Sequence, residues 1–179
     1  MTKSLLAVIR WQEVYSGAAY LYGSSLDFSS DAVLFKNPRL ASGKPIVQFL
    51  SKTNYQGNRR SPDLPLLVPN HVYFLEREMT TEPANRVFVQ IDFFNRQNEK
   101  IAFEVLRQDM ESFTCPPDTF SYTISILSAG CRQLRFKEMR LYEEKQAVER
   151  KELAPLQKKY TEKQLPEELQ FVTPLIQLL

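Results

Sequence analysis

The chain has 179 residues, enough for one domain with a single core and short for two. With 43% apolar, 12% aromatic and 25% charged residues it is not a disordered chain. A formal net charge of +2 is too small for the clustered basic face that nucleic acid requires.

Residues 5–11 predict a first strand. The apolar run ahead of Arg10 and Trp11 is too short for a secretory leader or for the ~20 residues of a membrane span, so a cytoplasmic location and no membrane span are expected. Residues 19–22 predict a second strand that points Tyr20 and Tyr22 the same way, with Gly23 permitting a turn behind them. Residues 32–35 and 46–50 add two more. The stretch SKTNYQGNRR, residues 51–60, then sets hydroxyls, amides, a tyrosine and two guanidinium groups side by side, and reads as a polar loop.

Residues 72–79 form a further candidate. Val87, Val89, Ile91 and Phe93 alternate with Phe88, Gln90, Asp92 and Phe94, the period of a strand with one face in a core. After a polar connection at 95–100 the alternation resumes at Ile101, Phe103 and Val105, making a hairpin. Phe120, Tyr122, Ile124 and Ile126 predict another strand, broken at Ala129-Gly130, and Leu134 and Phe136 lead into the last. Prolines at 38, 62, 65, 69 and 83 fall in the gaps. Many short strands with no helical pattern between them predict an all-β antiparallel sandwich of jelly-roll type over residues 1–142. From 143 to 179 the chain is rich in helix formers, but Pro155 and Pro166 cut it short, so a partly helical extension is expected.

Catalysis has little to work with. His71 is the sole histidine and stands at a strand entrance, which predicts a structural or solvent-facing role. Cys115 and Cys131 belong to no CxxC or His cluster, so a zinc site is not expected and two packed, reduced thiols are; a single disulfide is the alternative. Five glycines provide no phosphate-binding loop, and no serine stands in GxSxG. Glu143-Glu144 and Glu167-Glu168 read as solvated faces of the extension. No metal and no cofactor are expected.

Binding is the better reading. Sugars are held by aromatic rings against C–H faces and by planar amides and guanidinium groups that pair with hydroxyls. Asn54, Tyr55, Gln56 and Arg59 supply both in one segment, and Tyr20 and Tyr22 add rings. In the extension, Leu169, Phe171, Val172, Leu175 and Ile176 would leave an apolar patch in water unless covered, and are read as a partner-docking tail.

Ala19-Tyr20-Leu21-Tyr22-Gly23-Ser24, Ser42-Gly43-Lys44, Ser51-Lys52-Thr53-Asn54-Tyr55-Gln56 with Arg59, Pro62-Asp63-Leu64-Pro65-Leu66-Leu67 and Phe93-Phe94 form a combined string. Over residues 11–142 it resembles the third accessory secretory proteins of the accessory Sec system of Gram-positive bacteria. That resemblance implies a non-enzymatic subunit with a fold similar to carbohydrate-binding modules. It also implies a hetero-complex with the two other accessory secretory proteins, serving the accessory SecA motor and the export of glycosylated serine-rich-repeat adhesins. The complex would be cytoplasmic or peripheral at the inner face of the cell membrane. The segment around Tyr55 is then a glycan contact or a partner interface, and the sequence leaves both open. A stand-alone carbohydrate-binding module is the alternative, and an enzyme with a spatially assembled site is a third.

Overall fold

The structure, a computed structural model, describes residues 2–15 and 17–145. Its elements in chain order are β1 (Thr2–Ile9), β2 (Ser25–Phe28), β3 (Val33–Lys36), β4 (Pro45–Leu50), α1 (Tyr55–Asn58), β5 (Val72–Glu82), β6 (Val87–Phe94), β7 (Lys100–Leu106), β8 (Met110–Thr114), β9 (Ser121–Ser128) and β10 (Gln133–Lys145). They make two sheets, one ordered β2-β3-β10-β5-β8 with β1 also on β10, the other β4-β9-β6-β7. Every pairing is antiparallel. The fold is the expected all-β jelly-roll sandwich.

Alternation explains the layers. In β6, Val87, Val89, Ile91 and Phe93 are buried while the residues between them are half-buried. Tyr122, Ile124 and Ile126 are buried at alternate positions of β9, and in β10 Leu134 and Phe136 are buried before a bulge at Phe136/Glu138 and Met139 and Leu141 after it. Aromatic rings tie the sheets together. Phe49 of β4 stacks on Phe136 of β10 with centroids 5.9 Å apart, and Phe93 of β6 meets Phe113 of β8 at 6.2 Å. The long β10 organises one sheet: β5 lies along most of one side, while β3 and β1 share the other in succession.

The structure departs from the sequence reading at several elements. Residues 19–22 are not a strand. Ala19 makes one isolated bridge to Val47, and the chain then turns, with Gly23 at φ 68°. The short β2 and β8 are not evident in the sequence, because four or five residues are too few for a period to stand out from chance. Phe120 lies outside β9 and is exposed. Glu143 is no solvated face of an extension: β10 continues through Lys145, pairing Glu143 with Tyr73 of β5. The expected extension from residue 146 onward, with Leu169, Phe171, Val172, Leu175 and Ile176, lies outside the described residues.

Both cysteines are free and buried, and burial pushes each thiol above its ordinary pKa. Folded protein at pH 8 is therefore expected to resist iodoacetamide, whereas denatured protein should take up two equivalents, read by intact mass. Prompt labelling of the folded chain would contradict the packing around Cys115 and Cys131.

Candidate functional site

The polar stretch after β4 is built, not slack. Ser51 N–H donates to the Tyr122 carbonyl at 3.1 Å, and Ser51 Oγ accepts from Tyr122 N–H at 2.8 Å. Thr53 Oγ1 donates to the Arg60 carbonyl at 2.6 Å and closes the loop at its neck. Between these lies the single turn α1. Asn54 Oδ1 accepts from Gly57 N–H at 3.1 Å, the usual N-cap bond, and Arg59, at φ 49°, ends the turn by donating its N–H to the Tyr55 carbonyl at 2.8 Å. A Cβ on Gly57 would sit 3.3 Å from Asn54 Nδ2, so any larger residue there would press on the capping side chain. The expected polar loop thus contains a capped turn.

Capping reassigns the residues. Asn54 spends its side-chain oxygen on the helix end. Tyr55 is 65% exposed, and Gln56 and Arg59 are exposed beside it. What the turn offers a partner is a ring, an amide and a guanidinium group.

The turn stands on Arg60, which the sequence reading did not select. Arg60 is 5% exposed; its Nη2 donates to the Gln48 carbonyl at 3.0 Å and pairs with Asp63, and the guanidinium lies over the Tyr15 ring at 4.4 Å. Asp63 Oδ2 also accepts from Leu50 N–H at 3.0 Å, while Asp63 N–H donates to the Leu50 carbonyl at 2.9 Å. β4 is an edge strand, and these bonds occupy main-chain groups that an open edge would leave free. The signal was present as Arg-x-x-Asp before a proline-rich stretch, but a charged pair at that spacing is ordinary in loops.

A cleft of about 590 Å³ runs beside this pair, lined by Trp11, Glu13, Tyr15, Gln48, Arg60 and Asp63 among others. Trp11 Nε1 and Arg60 Nε are buried there without a hydrogen-bond partner among the described residues. Glu13, hydrogen-bonded to Tyr15, raises the phenol's pKa above its ordinary value, so Tyr15 stays a neutral hydroxyl. The cleft thus gathers hydrogen-bond donors and acceptors around the Arg60–Asp63 pair.

The tyrosine pair is not part of this site. Tyr20 packs against the core and Tyr22 is 86% exposed, because the turn between them breaks the strand that would have aligned them. With Asn37, Pro38 and Arg39 they line a separate depression. His71 Nδ1 lies 3.0 Å from Glu143 Oε1, joining the entrance of β5 to β10. Among the described residues no three His, Cys, Asp or Glu side chains are grouped to hold a metal ion, and no helix is long and apolar enough to cross a membrane.

Comparison with known proteins bears on what this surface meets. The family profile for accessory secretory protein 3 of the Accessory Sec secretory system matches residues 19–143. Accessory secretory protein 3 of the accessory Sec system of Streptococcus gordonii is 42% identical over 125 residues, spanning 69% of this chain and 79% of that protein. The protein of the same name from Staphylococcus aureus is 28% identical, over 76% of this chain and 43% of its own length. Among solved structures, a chain in the crystal structure of accessory secretory proteins 1, 2 and 3 of Streptococcus pneumoniae superposes with a TM-score of 0.72. It is 35% identical, and the match covers 76% of this chain and 95% of that one. A chain of the Gap123 glycosylation-associated complex of Streptococcus agalactiae follows at TM-score 0.70 and 36% identity, covering 80% and 45%.

Proposed function

The chain belongs to the accessory secretory protein 3 family of the Accessory Sec secretory system, and from that premise we propose that it is a non-catalytic subunit of a cytoplasmic hetero-complex with the two other accessory secretory proteins. In this reading the complex receives glycosylated serine-rich-repeat adhesins and serves the accessory SecA motor. The observation that carries it is the close structural likeness to a chain crystallised together with its two partner proteins. The surface agrees in kind. An exposed tyrosine and an exposed arginine on a turn fixed by a buried ion pair are residue types that dominate protein interfaces. A rigid base also lowers the ordering cost of docking. The tail residues Leu169, Phe171, Val172, Leu175 and Ile176 belong to the same proposal as a second docking element.

Co-expression tests it. The full chain, tagged and expressed with the two other accessory secretory proteins, is expected to elute with both as one species in size-exclusion chromatography. Elution as a lone chain, with no partner retained at micromolar concentration, would defeat the subunit reading and leave the stand-alone binding module in its place.

A further inference from the structure

Two buried donors of the cleft beside β4 are unmatched. Trp11 is 4% exposed and Arg60 5%, and both line the cleft. The indole Nε1–H and the guanidinium Nε–H each lack an acceptor among the described residues. Neither nitrogen can itself accept, so only an acceptor brought in from outside matches them. A buried donor left without an acceptor is costly, and whatever supplies one recovers that cost.

The charges of the cleft set the kind of acceptor. Arg60 is paired with Asp63 and Arg10 with Glu138, so neither guanidinium has charge to spare. Glu13 in the wall adds a carboxylate, engaged with the Tyr15 hydroxyl. An anionic ligand would face Glu13 and Asp63 with no free cation to offset them, whereas an uncharged oxygen would not. Much of the remaining lining is apolar, with Ala18, Val47 and Phe49 buried in it. A volume of about 590 Å³ with a few placed polar groups falls within the roughly 300–1,000 Å³ of ligand clefts.

Main-chain carbonyls are uncharged acceptors that recur at every residue, so a run of polypeptide can serve both donors. The cleft adjoins the Tyr55 turn through consecutive residues: Arg59 ends the turn, and Arg60, Ser61, Pro62 and Asp63 line the cleft. A segment docked on the turn therefore reaches the cleft along one continuous surface. It would not add to β4 as a strand, because Gln48 and Leu50 already spend their main-chain groups on Ala18, Arg60 and Asp63. Those same bonds hold the walls in place before any partner arrives, as an anchor pocket requires.

We propose that this cleft is the anchor site for an uncharged main-chain segment of a partner subunit, whose carbonyl oxygens accept from Trp11 Nε1–H and Arg60 Nε–H. This rests on the reading of the chain as a subunit of a complex, and it names what that interface inserts.

Trp11 is the only tryptophan in the chain, so its indole N–H is a lone reporter inside the cleft. The full chain, carrying isotope-labelled tryptophan, is combined with the two other accessory secretory proteins, unlabelled, and followed by NMR. On assembly the indole N–H signal is expected to move downfield and to stop exchanging with water. Ser61→Phe, which sets a ring at the exposed rim of the cleft, is expected to weaken association roughly tenfold or more while the free chain melts as wild type does. A complex that forms with the indole signal unmoved, or still exchanging with water, overturns the proposal and leaves the subunit reading intact, since the donors are then only hydrated. Full affinity in Ser61→Phe overturns it in the same way. If the signal moves when the free chain meets a serine peptide bearing N-acetylglucosamine, but not on assembly, the cleft takes glycan and the proposal falls. If no complex forms at all, the subunit reading falls and takes the proposal with it.

Discussion

Replacing Asp63 by alanine is expected to destabilise the fold by about 3–5 kcal/mol, the range for breaking a buried ion pair by removing one partner. Arg60 cannot escape to water: it is 5% exposed, pinned to the Gln48 carbonyl and covered by the Tyr15 ring. Without Asp63 its charge is left uncompensated, and the Leu50 N–H loses its acceptor as well. Asp63 is itself partly exposed, so water entering its place sets the lower end of the range. For a domain of this size the loss corresponds to roughly 10 °C in melting temperature. The double variant Arg60→Met with Asp63→Ala removes the stranded charge and is expected to be more stable than Asp63→Ala alone. Calorimetry on the three proteins checks both statements. A loss below about 1 kcal/mol for Asp63→Ala would mean that the pair is effectively solvated.

Tyr55→Ala combined with Arg59→Ala is expected to have the opposite profile, with little change in stability and a large loss of assembly. Both side chains are exposed, so the melting temperature should stay within about 1–2 °C of wild type, as for other surface substitutions of ~0.5 kcal/mol or less. The capped turn survives, because Asn54, Gly57 and the Arg59 N–H hold it without either side chain. If the pair is buried against a partner subunit, each residue contributes about 1–3 kcal/mol, which together weakens association roughly 10²- to 10⁴-fold. Interferometry with the immobilised partner pair measures this directly. Unchanged affinity would exclude the turn as a docking element. A melting temperature that falls with affinity would assign Tyr55 and Arg59 to the fold instead.

These two sites differ in how far the sequence discloses them. Tyr55 and Arg59 could be picked out because a run of polar groups around a tyrosine is visible in the chain itself, even though the capped turn within it was not. Arg60 and Asp63 could not, because nothing in Arg-x-x-Asp says which charge is buried. Burial there depends on β4 lying at a sheet edge and on Tyr15 crossing above it, both facts about distant segments.

What the sequence determined by itself was the class of fold. In residues 87–93 and 122–126 every second residue is apolar, and only an extended chain places such residues on one face. Two such faces must close on each other, and a sandwich follows. It also carried the family, because the motif string needs no coordinates to be read. The tertiary structure decided which residues become neighbours. Tyr20 and Tyr22 were separated by a turn that local alternation concealed, and Glu143 was drawn into β10 by pairing with β5. Gln48, Ser125 and Gln90, scattered along the chain, became one row across three strands. The physical reason is register: side-chain direction repeats every two residues and is local, whereas the partner opposite each residue is fixed by how whole strands slide against one another to bury their apolar sets.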